Sequence, residues 1–132
     1  MKIKDINLIS LGYVNDVSFL AKVYSASDIF LAPSIEENFA NTCLESLSCG
    51  TPVVAFPVGG MPEIIDHKLN GFLCSDVSSN SLFDGIKWFL DNKGAIYSMR
   101  EKARSKIIKK FTLETQAEKY ETLIKRVLCE KN

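Results

Sequence analysis

The sequence predicts an α/β fold, a Rossmann-like parallel sheet of about four short strands with flanking helices and an all-helical C-terminal third. Three observations carry this. Over the first two-thirds of the chain, short apolar runs alternate with segments of helical periodicity. The runs are apolar throughout, as in strands buried on both faces of a parallel sheet. From about residue 79 onward only helical patterns remain.

Taken in order, residues 6–11 form the first strand-like run, ended by Gly12, and residues 16–26 follow with Val17, Leu20, Ala21 and Tyr24 at helical spacing. Residues 28–32 are a second short run, stopped by Pro33. Residues 42–49 make a short helix closed by Gly50, and residues 52–56 the next strand, with Pro52 at its edge. A glycine loop, Val58-Gly59-Gly60-Met61, leads to Pro62 as an early helical residue. Asn70-Gly71 turns into a last short run, Phe72-Leu73-Cys74. Ser79 or Ser81 caps a helix running to about Asp91, and Gly94 separates it from a second that reaches Lys110. Thr112 to Thr115 opens a third, with Tyr120, Leu123, Ile124, Val127 and Leu128 on one face. Phe83, Trp88 and Phe89 read as helix-to-sheet core.

Length and charge bound the function classes. A chain of 132 residues is one domain, and 46% apolar residues suit an ordinary globular protein. Sixteen basic and sixteen acidic side chains cancel, so no global field recruits nucleic acid. The run Arg100, Lys102, Arg104, Lys106, Lys109, Lys110 against Glu101 is either a solvated helix face or a peripheral contact with anionic lipid. Cys43, Cys49, Cys74 and Cys129 form no Cys-x-x-Cys pair, and His67 is the only histidine, so no zinc-ligand spacing exists and no metal is expected. The cysteines read as small reduced core residues, and His67 as a surface residue. No run has the length of a membrane span, and residues 1–5 carry no apolar leader. The expected location is cytoplasmic, with attachment at the inner face of a membrane left open.

Ligands of doubly wound sheets bind beyond the carboxyl ends of the strands. The loops at Gly12, at residues 33–41 and at residues 56–61 therefore matter most. The segment after Pro33 reads Ser34-Ile35-Glu36-Glu37-Asn38-Phe39-Ala40-Asn41-Thr42-Cys43-Leu44-Glu45. It joins a strand to a helix start, where the N–H groups of Asn41, Thr42, Cys43 and Leu44 are expected free and the macrodipole is positive, a ready place for phosphate. Glu37 and Glu45 bracket it, and a carboxylate accepts hydrogen bonds from paired sugar or ribose hydroxyls. Thr42-x-x-Glu45 also fits a plain capping box. Glu63 suits a first helical turn and is assigned no chemistry.

The ordered string resembles a known family. Glu37, seven residues, Glu45, then Gly50-Thr51-Pro52-Val53-Val54-Ala55, then Gly59-Gly60-Met61-Pro62-Glu63, looks like the donor-binding half of GT-B-fold retaining glycosyltransferases of family 4, also called glycosyltransferase group 1. Leu11-Gly12-Tyr13-Val14 and the run from Ser27 to Ser34 resemble two further family segments. The resemblance implies transfer of a sugar, with retention, from a nucleotide diphosphate sugar to a glycan or lipid-linked acceptor. Glu37 would contact hydroxyls of the donor sugar as the catalytic residue, and Glu45 would hold the ribose hydroxyls. The amides of Asn41, Thr42, Cys43 and Leu44 would face the diphosphate, and Asn38, Phe39 and Ala40 are further donor-binding candidates. Gly12, Tyr13 and Val14 would lie beside the base. Gly59 and Gly60, in a loop at a strand's carboxyl end, read either as donor-binding or as only a tight turn. The donor is a substrate, and no cofactor is implied.

Asn38 and Ala40 stand where many family members have glycine. The resemblance also implies two leading strand–helix units with a basic pair, and an N-terminal acceptor domain; residues 1–132 match neither. The expectation is a single partial domain, inactive alone, with a strand edge left open to self-association. The alternatives are a module that binds nucleotide sugar without turnover and an unrelated flavodoxin-like interaction domain; a response-regulator form of the latter needs an acidic cluster at strand ends, and the first strand has none.

Overall fold

In the computed structural model, residues 6–129 are described. The reading of residues 1–5 lies outside them. Three short parallel strands form one sheet in the order β1-β2-β3, with β1 at Phe30–Ala32, β2 at Val53–Ala55 and β3 at Gly71–Leu73. β1 pairs with β2 in the register Phe30–Val53, and β2 with β3 in the register Val53–Gly71. Helices α1 (Val17–Ala26), α2 (Asn41–Ser48) and α3 (Met61–Ile64) fill the connections, and α4 (Ser79–Asp91), α5 (Lys93–Lys110) and α6 (Leu113–Cys129) make the helical C-terminal third.

The apolar runs build this by the period of two of an extended chain. All of β2 is buried. Val53 and Ala55 face a cluster with Cys43 and Leu47 of α2, Ile64 of α3 and Ala103 and Ile107 of α5. Val54 faces the other way, into Phe56, Cys74, Phe89 and Met99. The long helix α5 serves both clusters, its first half packed in one and its second half in the other.

Several expectations need correction. Residues 6–11 are not a strand, so among the described residues the sheet has three strands, not four. Ile6, Leu8 and Ile9 are 61%, 76% and 72% exposed, and a strand without a neighbour for its N–H and C=O groups gains nothing from extension. β1 is consequently an edge strand, with its outer side unpaired among the described residues. Ser78 caps α4, not Ser79 or Ser81: its hydroxyl accepts from the Ser81 N–H at 3.1 Å. Gly94 lies inside α5, and the break between α4 and α5 falls at Asn92. Phe83 is 61% exposed, whereas Phe89 is buried and Trp88 half-buried. Cys43 and Cys74 are core residues, but Cys129 is exposed.

The basic run of α5 is largely structural. Arg100 donates to the carbonyls of Ser25 and Ser27 at 3.2 and 2.8 Å, and Arg104 to that of Ser48 at 2.7 Å. Those carbonyls end α1 and α2, where the helix macrodipole favours a cation. Lys106 is buried against Asp66 at 2.9 Å. Lys102, Lys109 and Lys110 remain exposed. Among the described residues no helix is long and apolar enough to cross a membrane.

Candidate donor site at the start of α2

The loop leaving β1 reaches α2 through Ala40, whose extended backbone caps the helix with no side-chain hydrogen bond. The Ala40 carbonyl accepts from Cys43 and Leu44 at 3.1 and 3.2 Å, so only Asn41 and Thr42 of the four expected amides lack a cap partner. Thr42 sits inside the helix rather than at the cap, which removes the capping-box reading of Thr42 and Glu45.

The preceding turn is held from two sides. Glu37 Oε1 accepts from the Asn38 N–H at 3.0 Å, and the Asn38 carbonyl accepts from the Gly60 N–H at 2.9 Å. A methyl group at Gly59, where φ is +51°, would collide with the Glu37 carbonyl oxygen. One at Gly60 would lie 2.7 Å from the Phe39 ring. The two glycines thus let the loop after β2 press against the loop after β1. The turn at residues 37–39 and Gly59-Gly60 are packed together.

Cys43 is wholly buried. Burial pushes its thiol up to about 11, helped by the nearby Glu37 charge, so it is a neutral packing residue. Glu45 projects from α2 to solvent, and its Oε2 accepts from the Tyr24 hydroxyl at 3.4 Å. The Tyr24 phenol is pushed up to about 12, first by burial and then by the Glu45 charge.

Two cavities flank the first turns of α2, and Asn41 and Leu44 line both. One, of about 390 Å³, runs between α1 and α2 past Val17, Leu20, Tyr24 and Glu45. The other, of about 460 Å³, is bounded by Phe39, Glu63, Lys110, Phe111, Lys119 and Tyr120. Sequence spacing finds no base near the site, yet the turn from α5 to α6 brings Lys110 and Lys119 to the cavity that Asn41 lines. Tyr24 was legible only as a core position of α1. The structure does not join Gly12, Tyr13 and Val14 to the rest: Tyr13 is 90% exposed, and nothing lies within 4 Å of a methyl group placed on Gly12. Among the described residues no three His, Cys, Asp or Glu side chains are grouped to hold a metal ion.

The carboxyl ends of a parallel sheet here meet a helix start without a side-chain cap, with Glu37 and Glu45 on either side, in an α/β lobe. The chain belongs to the glycosyl transferases group 1 family, which matches residues 4–110. It is 32% identical over 109 residues to N-acetyl-alpha-D-glucosaminyl L-malate synthase of Bacillus anthracis, covering 83% of this chain and 29% of that protein. Its fold matches the solved C-terminal domain of a glycosyl transferase group 1 family protein of Francisella tularensis (TM-score 0.68, 25% identity, 78% of this chain and 53% of that one). It also matches HepE of Anabaena solved in complex with UDP (TM-score 0.70, 26% identity, 79% of this chain and 29% of that one). The chain therefore spans under a third of the curated relative's length.

Proposed function

We propose that this chain is the donor-nucleotide lobe of a retaining, hexosyl-type glycosyltransferase of family 4. In this reading Glu45 holds the ribose hydroxyls of a nucleoside diphosphate sugar, the N–H groups of Asn41 and Thr42 face the diphosphate, and Glu37 meets the donor sugar. The loop at Gly12, Tyr13 and Val14 lies beside the base once donor binds. The observation that carries it is the start of α2: two amides without a cap partner, between Glu37 and Glu45, at the carboxyl end of β1. The family membership and the UDP held by a similar fold support it. The reading needs no metal, and it takes its glycan or lipid-linked acceptor from a domain beyond residues 1–132.

The chain spans 29% of its curated relative, which favours a lobe that binds donor without turning it over alone. Titration with UDP and GDP tests the binding. Replacing Glu45→Ala is expected to cost about 1.5–3 kcal/mol of nucleotide affinity, the worth of hydrogen bonds to a charged group. Unchanged affinity would remove the ribose assignment. Hydrolysis of UDP-sugar by the chain alone would overturn the claim that it is catalytically incomplete.

A further inference from the structure

Tyr24 is the only buried residue of α1, 7% exposed. Its ring stands edge-on to Phe30 of β1, with centroids 5.4 Å apart and planes at 87°. Its carbonyl accepts from the Thr51 hydroxyl at 2.5 Å, at the junction of α2 with β2. Ring and backbone are thus fixed to the sheet and to the end of α2. The hydroxyl, by contrast, points out of the core, 3.4 Å from Glu45 Oε2, and both residues line the same 390 Å³ cavity.

An exposed glutamate samples several rotamers, and a ligand that needs one of them pays for the ordering. A donor on an immobile ring restricts that choice before any ligand arrives. It engages Oε2 and leaves Oε1 for an incoming hydroxyl pair. We propose that Tyr24 is a positioning residue for nucleotide recognition, holding the Glu45 carboxylate in the orientation that accepts the ribose hydroxyls. This rests on the ribose reading of Glu45. The phenol keeps its proton through the neutral range, its ionisation pushed up to about 12, so it remains a donor wherever the protein works.

The substitution Tyr24→Phe keeps the ring and removes only the hydroxyl. Titrations compare UDP with its 2′,3′-dideoxy analogue, which lacks the hydroxyl pair. Tyr24→Phe is expected to weaken UDP about three- to tenfold, the worth of one hydrogen bond. It should leave the dideoxy analogue unchanged and add nothing in a Glu45→Ala background. In the free chain, the carboxyl ¹³C resonance of Glu45 should move in Tyr24→Phe. If that resonance stays put, or if Tyr24→Phe weakens both nucleotides alike, Tyr24 is only a core residue and the proposal fails. If Glu45→Ala weakens UDP and Tyr24→Phe does not, the ribose reading stands and this inference alone falls. If the unaltered chain binds no UDP at millimolar concentration, or Glu45→Ala changes nothing, both fall together.

Discussion

Gly59 shows how one residue can hold two loops in register. At φ +51° an L side chain is already strained, and a methyl group there has the Glu37 carbonyl in its path. Backbone on both sides leaves no flexible group to yield. Gly59→Ala is expected to cost about 3 kcal/mol, read as a lowered urea midpoint by Trp88 fluorescence. Gly94 is the contrast: its added methyl group meets nothing within 4 Å, and it lies in the first turn of α5. Gly94→Ala should stabilise by about 0.5–1 kcal/mol, because alanine loses less entropy in a helix. If both changes act alike, the loop contact is not what fixes Gly59.

Burial raises the pKa of two acids, so both make the fold less stable at alkaline pH. The Cys43 thiol stands at about 11 against an ordinary 9.0, and the Tyr24 phenol at about 12 against 10.0. Each folded-state value is raised, so the unfolded chain gives up its protons first. Their contribution to stability is complete below pH 9.0 and is lost as pH climbs toward 12. Urea midpoints should fall across that range, and Cys43→Ala should flatten the fall at its lower end. A decline of the same slope in Cys43→Ala would assign it to other groups.

At the scale of elements, the helix α5 carries a charge pair with unequal partners. Lys106 keeps 8% of its side chain exposed, while Asp66 keeps 49%. Asp66→Asn strands a buried ammonium and is expected to cost about 2–3 kcal/mol. Lys106→Met removes the buried charge and leaves Asp66 to water, so it should stay within about 1 kcal/mol of the unaltered chain. Urea denaturation ranks the two, and the reverse order would refute the burial argument. The same helix marks where the sequence was legible. Its run of bases was visible, but not its use: Arg100 and Arg104 reach carbonyls 73 to 75 and 56 residues away in the chain. Local patterns located α1, α2, β1 and β2 closely, because apolar runs and capping signals are local. They failed for residues 6–11, whose apolar run is as strand-like as that of β1 but has no neighbour. The site divides in the same way. The segment 37–45 and Gly59-Gly60 are contiguous motifs and so could be read as candidates, whereas Lys110, Lys119 and the hydroxyl of Tyr24 reach the same cavities through tertiary packing that no spacing records.

The whole molecule has a well-packed centre and a loosely attached end. The two core clusters draw on α2, α3, α4 and α5 with the sheet, and α6 contributes no buried residue. Its apolar face is nevertheless long: Tyr120, Ile124 and Leu128 are 59%, 56% and 61% exposed. Such a face adds little to folding free energy, since apolar area that stays in water gains nothing. It does make a continuous apolar patch, which promotes association of soluble chains. Deleting residues 113–132 should therefore lower the unfolding free energy by no more than about 2 kcal/mol in urea, while sharply reducing binding of the dye ANS. Because Lys119 and Tyr120 wall the 460 Å³ cavity beside Asn41, the same deletion should also weaken UDP if that cavity takes part in donor binding. Loss of cooperative unfolding on deletion would show that α6 belongs to the core. Unchanged UDP affinity would confine the donor to the cavity between α1 and α2.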